Sequence, residues 1–410
     1  MALAMLLVLF TVGAGLSRPN LMKMNIKEGE TMKEIGLYIH IPFCEKKCYY
    51  CDFTSFSGEK HLIGPYVEAL KQEVLLYKEA LTGYEIKTIF FGGGTPSILS
   101  GEAMAELMEW IRRHVEIDTK AEISMEANPG LLSKDKLHRY YDSGINRLSI
   151  GLQACQDHLL KSLGRIHTYG DFIQNLADAR GVGFSNINVD MMFALPNQSM
   201  NEWKASLTEI IDLGVPHLST YGLIIEEGTS FNQWVEDKKI KTLDEELELA
   251  MFHETIRILK SKGYTHYEIS NFSKPEYECR HNQIYWRNRP YLGLGVGAHS
   301  YFEKMRFSNT SHIGIYINKI NIGEKPLDTQ ELITRNDEIS ETMFLGLRLL
   351  EGVSINDFTE RFQSSVFDVY GDVINKLISQ GLLTIKGDRI RLSQRGVDLS
   401  NIVFAEMLLE

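Results

Sequence analysis

With 410 residues, 44% of them hydrophobic and 24% charged, the chain is long enough to bury a large core and has room for one big domain plus a smaller one. A formal net charge of −11 works against sequence-independent binding to phosphate backbones, which excludes nucleic acid as a favoured partner. Five cysteines, three of them between Cys44 and Cys51 and the others alone at Cys155 and Cys279, make no disulfide framework; they fit metal binding in a reducing, cytoplasmic compartment.

In chain order, the first feature is an apolar run from Leu3 to Leu16 that ends in small residues. It has no cationic stretch before it, the first positive side chain being Arg18, and it falls short of the roughly 18 residues of a membrane span. Residues 1–31 therefore read as an N-terminal extension upstream of the native start, placed at Met32, because a strand pattern begins abruptly at Lys33. From Ile35 to about Ser270, short β-rich runs alternate with longer amphipathic stretches, the signature of βα units around a parallel sheet. Six strands are predicted, at Gly36–Ile41, Lys87–Phe91, Glu122–Glu126, Arg147–Gly151, Asn186–Met191 and His217–Leu223, with helices such as Tyr66–Tyr77 and Met104–His114 between them. The expected fold is α/β, a partial (β/α)6 barrel over residues 32–270 that binds its ligands at the C-terminal strand ends.

A long helix over Thr242–Gly263 and a further strand at Tyr264–Ile269 lead into an aromatic, arginine-rich segment, residues 271–325, expected to pack on the barrel. After about Pro326 the βα rhythm stops. Shorter helical patterns then precede two β-type runs on either side of Gly387-Asp388, which signals a hairpin, so residues 326–410 read as a small C-terminal α+β accessory domain of winged-helix-like type.

The loop after the first strand reads Cys44-Glu45-Lys46-Lys47-Cys48-Tyr49-Tyr50-Cys51, a CxxxCxxC spacing. Three thiolates this close wrap one cuboidal [4Fe–4S] cluster and leave its fourth iron open to an outside ligand, here the amino and carboxylate groups of S-adenosylmethionine (SAM). The rival is a zinc site completed by His40 or Cys279, but structural zinc usually pairs two such knuckles and this chain has one. After the second strand, Gly92-Gly93-Gly94-Thr95-Pro96 lets backbone approach a ligand closely, which suits the amino and carboxylate end of SAM and makes Gly93, Gly94 and Thr95 candidate contacts. Such a turn also serves as a plain βα connection, and with no Lys-Ser or Lys-Thr after it this one is no P-loop.

Together, the CxxxCxxC loop and the Gly-Gly-Gly-Thr-Pro turn resemble the radical SAM superfamily, and the resemblance covers nearly the whole chain from Ile35. It runs closest to the oxygen-independent coproporphyrinogen III oxidase group and, within it, to the HemW-type haem chaperones. The resemblance implies further SAM contacts at Tyr38, Tyr50, Glu126, Gln153, Arg165 and Asp190. Their chemistry suits the ligand: carboxylates accept from ribose hydroxyls or the ammonium, and a guanidinium pairs with the carboxylate. Each of these residues is otherwise an ordinary strand-end hydrogen-bonding group.

Arg280-His281-Asn282-Gln283-Ile284-Tyr285-Trp286-Arg287-Asn288-Arg289-Pro290-Tyr291 brings together what a haem site needs. His281 is a candidate iron ligand, Tyr285, Trp286 and Tyr291 offer flat apolar faces, and Arg280, Arg287 and Arg289 suit propionates. A lone histidine is more often a satisfied core residue. The resemblance favours haem, because His281 to Trp286 fits the HNxxYW motif of the HemW-type chaperones. Gly293 to His299 follows as a close-approach turn, with His299 a weaker second candidate.

Oxidases of the group carry a fourth cysteine two positions beyond the third, where this chain has Phe53. The reading is therefore a haem chaperone that passes haem to acceptors such as respiratory cytochromes. The resemblance implies an electron donor such as flavodoxin or ferredoxin, and leaves room for peripheral membrane contact. The alternative is an enzyme, decarboxylating coproporphyrinogen III to protoporphyrinogen IX. A zinc-stabilised interaction protein is a third.

Overall fold

Ile35, Leu37, Ile39 and Ile41 belong to the main hydrophobic core, while the residues between them, Gly36, Tyr38 and His40, face the other way. A period of two is what a strand between two different environments imposes. In the computed structural model, which describes residues 32–409, this segment is Lys33–Ile41 (β1) near the middle of a 12-stranded sheet. The expected extension, residues 1–31, lies outside the described residues.

From β1 the chain alternates through Ile63–Tyr77 (α1), Tyr84–Gly93 (β2), Gly101–His114 (α2), Ile117–Ala127 (β3), Lys134–Asp142 (α3), Arg147–Gln153 (β4), Tyr169–Val182 (α4), Asn186–Phe193 (β5), Met200–Asp212 (α5), His217–Gly222 (β6) and Glu245–Ser261 (α6). Each of β1 to β6 pairs in parallel with the next, which is the predicted α/β architecture. Local chemistry starts several of these helices. Ser100 accepts from Ala103 N at 3.1 Å ahead of α2, and Thr168 with Asp171 and Ser199 with Glu202 form capping boxes ahead of α4 and α5, each cap stabilising its helix by about 1 kcal/mol.

Both edges of the parallel sheet are extended by antiparallel strands. Thr265–Glu268 (β7) and Asn271–Ser273 (β8) follow β6, in the order β6-β8-β7. Beyond the seven-residue helix Arg280–Trp286 (α7), Tyr291–Leu294 (β9) pairs in parallel with β1, and His299–Phe302 (β10), Met305–Asn309 (β11) and Leu327–Leu332 (β12) continue outward from it. Tyr264–Ile269 was expected as a strand and contains β7; the strands β9 to β12 have no counterpart in the sequence reading.

The C-terminal part is built from Arg335–Gly346 (α8), Val353–Ser354 (β13), Ile355–Phe362 (α9), Val366–Ser379 (α10), Leu383–Lys386 (β14) and Arg389–Leu392 (β15). The last two form the hairpin expected around Gly387-Asp388, and β13 pairs on the outer side of β15. This unit has its own apolar cluster, which Tyr285, Trp286, Tyr291 and Tyr301 from the barrel side complete. Among the described residues, no helix is long and apolar enough to cross a membrane.

Candidate cofactor-binding site

The inward faces of β1 to β6 are polar: Tyr38 and His40, Thr88, Glu122 and Ser124, Arg147 and Ser149, Asn188 and Asp190, and His217 and Ser219 occupy alternate positions along the strands, many of them joined by hydrogen bonds. Apolar side chains at the intervening positions pack outward against the helices. The site at the C-terminal ends of these strands therefore opens onto a polar lumen.

Pro42 ends β1 and the cysteine loop begins immediately. Backbone hydrogen bonds pin the loop from three sides: Phe56 N to Pro42 O at 2.7 Å, Tyr49 N to Leu163 O at 3.1 Å and Phe231 N to Tyr49 O at 2.9 Å. Cys44, Cys48 and Cys51 are free thiols, Cys44 buried and the other two half-buried. Burial pushes the Cys44 thiol up and the Cys51 thiol up to about 11, and a charge on Cys48 raises both further. The thiols are thus close enough to feel one another, and iron bound there would favour their thiolate form.

Among the described residues no three His, Cys, Asp or Glu side chains could hold a single metal ion. A cuboidal cluster instead takes its thiolates at three separate corners. The proposed zinc partners are also committed elsewhere. His40 Nδ1 meets Tyr38 OH at 3.0 Å and its Nε2 meets Thr54 O at 2.8 Å, while Cys279 lies beside Glu122, its Sγ at 3.7 Å from Oε1.

The glycine turn is needed first for packing. A Cβ on Gly93, where φ is +110°, would stand 2.5 Å from the His40 ring, and one on Gly94 would stand 2.8 Å from Phe43 O and 3.1 Å from Cys44 Sγ. Its amides are used internally: Gly93 N donates to Glu126 Oε2 at 3.1 Å and Gly94 N to Ile41 O at 2.9 Å. The amides of Gly93 and Gly94 are thus engaged within the chain, and the close approach that requires glycine at these positions is to His40 and the cysteine loop. Thr95 Oγ1 lies 3.4 Å from Cys44 Sγ and accepts from Asn128 Nδ2 at 2.9 Å.

Arg165 reaches into the same place. Its Nη1 donates to Cys48 Sγ at 3.5 Å and its Nη2 to Asn128 Oδ1 and Gly151 O at 2.6 Å each, while Nε is buried without a partner. Asn128, which ties Thr95 to Arg165, was missed by the sequence reading, since one asparagine in a βα loop carries no signature.

Gln153 ends β4 at a β-bulge and has φ of +75°, a strained value that turns its side chain to accept from Tyr221 OH at 2.9 Å. Asp190 accepts from Asn188 Nδ2 at 2.7 Å and from Ser149 Oγ at 3.2 Å, and burial raises its carboxyl. Burial raises Glu126 to about 7, and the nearby charge of Asp190 adds to this. Two carboxylates, a guanidinium with a spare N–H and three thiols converge at the strand ends. That donor set fits a cluster with an aminoacyl sulfonium ligand. Tyr38 stands lower in the lumen, stacked on Phe90 with centroids 6.3 Å apart, and Tyr50 packs against Phe231 beside the loop.

The haem-motif residues are placed differently from expectation. Helix α7 lies across the barrel floor, its first amides held by Glu122, which accepts from Arg280 N at 3.0 Å and His281 N at 3.1 Å. His281 is 1% exposed and stacks on Phe90; its Nδ1 is 2.7 Å from Thr88 Oγ1 and its Nε2 is 2.7 Å from Tyr285 OH. Burial lowers it to about 3, so it is neutral with both nitrogens engaged. To ligate iron it would have to give up one of these bonds.

Tyr285 and Tyr291 stack edge-on with centroids 4.6 Å apart inside the second core. Arg280 Nη1 donates to Lys120 O and Arg287 pairs with Glu351 at 2.9 Å. The reason is that the floor must be closed and the C-terminal unit seated, and these side chains do both. Half-buried His299, at the start of β10, lies near enough for its charge to lower His40. The turn before it also serves packing: a Cβ on Gly295 would stand 2.7 Å from His40 O.

A parallel βα barrel with three cysteines after its first strand and polar strand ends converging on them defines a radical SAM protein. The family model for the radical SAM superfamily matches residues 38–210, and that for the HemN C-terminal domain matches residues 333–399. Among curated proteins, the chain is 36% identical to "Heme chaperone HemW" of Lactococcus lactis over 92% of this chain and 98% of that one. It is 37% identical to the protein of that name from Bacillus subtilis, over 91% and 99%. The HemW of Escherichia coli is 35% identical over 92% and 98%. Among solved structures, the Escherichia coli coproporphyrinogen III oxidase HemN, described as a radical SAM enzyme, superposes with a TM-score of 0.81 at 23% identity, covering 93% of this chain and 91% of that one; this likeness carries the fold. The chain belongs to the radical SAM superfamily and, within it, to the HemW family. Membership of the superfamily implies a [4Fe–4S] cluster and SAM.

Proposed function

We propose that the protein is a haem chaperone: it binds haem as cargo and delivers it to haem-accepting proteins such as respiratory cytochromes, with a cluster and SAM in the barrel governing binding or transfer. The observation that carries this reading is the similarity, at 36–37% identity and over 98–99% of their length, to relatives named as haem chaperones. Phe53 supports it, standing where oxidases of the resembling group have a fourth cysteine.

In this reading Cys44, Cys48 and Cys51 hold the cluster. Tyr38, Tyr50, Gly93, Gly94, Thr95, Glu126, Gln153, Arg165 and Asp190 surround SAM. The spare Nε–H of Arg165 is available to the SAM carboxylate, and the carboxylates of Glu126 and Asp190 are available to its ammonium or ribose hydroxyls. When bound, the cluster supplies an electron and an open iron to the sulfonium. The chain's own residues bind, orient and exclude water. The working compartment is the reducing cytoplasm, with a flavodoxin or ferredoxin as donor and, where the acceptor is membrane-bound, peripheral contact with the membrane.

The test is anaerobic: reconstituted protein with SAM and reductant is given coproporphyrinogen III in one arm and haem in the other. Stoichiometric haem binding and its transfer to an apocytochrome, with no protoporphyrinogen formed, is the expected result. Protoporphyrinogen production would overturn the carrier reading in favour of the decarboxylase.

A further inference from the structure

An unbroken series of side-chain hydrogen bonds runs from one cysteine of the loop to another, through Cys44, Thr95, Asn128, Arg165 and Cys48. Its middle member sets the direction of the outer bonds. A guanidinium only donates, so the amide oxygen of Asn128 has to face Arg165 and the amide NH2 has to face Thr95. Thr95 Oγ1 therefore accepts from Asn128 Nδ2 at 2.9 Å and keeps its own hydrogen for Cys44 Sγ, 3.4 Å away. On the other side both hydrogens of Arg165 Nη2 are used, by Asn128 Oδ1 and Gly151 O at 2.6 Å each. That fixes the plane of the guanidinium and leaves Nη1 to donate to Cys48 Sγ at 3.5 Å. Both ends of the series are donors aimed at sulfur.

Asn128 is itself held. Its backbone N donates to Ser97 Oγ at 3.2 Å and its O accepts from Leu131 N at 3.3 Å. The strand beside it is shaped to the same end: a Cβ on Gly151 would stand 3.2 Å from Asn128 Oδ1 and 3.3 Å from Arg165 Nη2, so the bare backbone of β4 leaves room for the pair. A neutral thiol gains little from such donors. A thiolate on iron gains more, because its charge strengthens each bond. When a cluster takes one electron from a low-potential donor, part of the added negative charge falls on the cysteine sulfurs, and hydrogen bonds to those sulfurs favour the reduced form.

We propose that Asn128 is a positioning residue that sets the reduction potential of the cluster, because a single amide holds the Thr95 hydroxyl on Cys44 and the Arg165 guanidinium on Cys48. The inference rests on the reading that Cys44, Cys48 and Cys51 hold a [4Fe–4S] cluster, and it is independent of the cargo. The same amide fixes where the spare Nε of Arg165 points, so one side chain governs both the donors on sulfur and the guanidinium offered to SAM.

The experiment is an anaerobic potentiometric titration of the reconstituted full chain without SAM, with the reduced cluster followed by electron paramagnetic resonance. Asn128→Ala should load iron and sulfide as the parent does and shift the one-electron equilibrium about tenfold towards the oxidised form, a midpoint about 59 mV lower. Thr95→Val removes the donor to Cys44 and should move the midpoint in the same direction, whereas Thr95→Ser keeps the hydroxyl and should restore it. Lys136→Met tests for mere loosening of the loop, since Lys136 Nζ donates to Ser97 O and Leu131 O outside the series; its midpoint should stay parental. A parental midpoint in loaded Asn128→Ala, or an equal shift in Lys136→Met, would overturn the proposal and leave the cluster reading intact. If Asn128→Ala takes up no cluster, the Thr95 pair decides: a shift in Thr95→Val that Thr95→Ser restores supports the proposal, and parental midpoints in both overturn it. A parent chain that takes up no iron and sulfide would overturn the cluster reading itself.

Discussion

Cys44, Cys48 and Cys51 differ in burial, and in the proposed reading each holds a different corner of the cluster. Replacing any of them by alanine is expected to bring iron and sulfide to background after anaerobic reconstitution, measured by metal analysis and by loss of the charge-transfer band; a fully loaded Cys51→Ala protein would remove the assignment. At Asp190 the carboxylate oxygens already accept from Asn188 and Ser149, so the residue is held rigid for whatever it meets in the lumen. Asp190→Asn keeps the shape and removes the charge, and about tenfold weaker SAM binding is expected from the loss of one charge-assisted hydrogen bond, read by equilibrium dialysis. His281 illustrates the opposite case. Its two hydrogen bonds and its stack on Phe90 hold the barrel floor, so His281→Ala should cost about 2–4 kcal/mol of stability through the cavity and the unpaired Thr88 and Tyr285 hydroxyls. A denaturant midpoint equal to that of the parent would refute this. The motif resemblance suggested an iron ligand; the hydrogen-bond partners give the side chain a structural part.

At the scale of elements, the βα units were legible because each strand alternates between a helix-packed and a lumen face, and helices such as α2 and α4 carry side-chain caps. Boundaries were less so. Helix α1 begins at Ile63, three residues before the apolar pattern suggested, with Leu62 at its N-cap and no side-chain cap to mark the start. Strand β3 runs back to Ile117 through Asp118 and Lys120, a polar stretch without strand signature. The strand-to-loop crossing at Gly93 depends on glycine, and Gly93→Ala should displace His40 and with it the cysteine loop, visible as sharply reduced cluster incorporation.

Helix α1 also carries a device that no local pattern announces. Glu73 is wholly buried and accepts from Gly295 N at 2.7 Å, Asn309 Nδ2 at 2.7 Å and Tyr316 OH at 2.6 Å. Burial raises it from 4.5 to about 7. The folded state thus holds this proton more tightly than the unfolded chain. The associated stability is fully present below pH 4.5 and is lost as pH rises through 7, by up to about 3 kcal/mol. Comparing the parent with Glu73→Gln at pH 5 and pH 8 in anaerobic urea melts should isolate that slope; identical pH dependence in the two would refute it.

For the molecule as a whole, the C-terminal unit is a covering as well as an appendage. Tyr285, Trp286, Tyr291 and Tyr301 are buried in the core that it shares with the barrel. A chain stopped at Leu332 should therefore expose a contiguous aromatic patch and either aggregate or bind a hydrophobic dye strongly, as judged by light scattering and dye fluorescence; a monodisperse, dye-silent truncation would count against the shared core. The sequence by itself determined the order of β1 to β6 with helices between them, the cysteine loop and the polar strand ends, because strand alternation and ligand spacing are local properties. Tertiary structure alone decided that β9 pairs with β1, that Asn128 bridges Thr95 and Arg165, and that His281 is satisfied from within. Each of these contacts joins residues distant in the chain, Thr88 and His281 being 193 positions apart, and no window of sequence contains both partners of such a hydrogen bond.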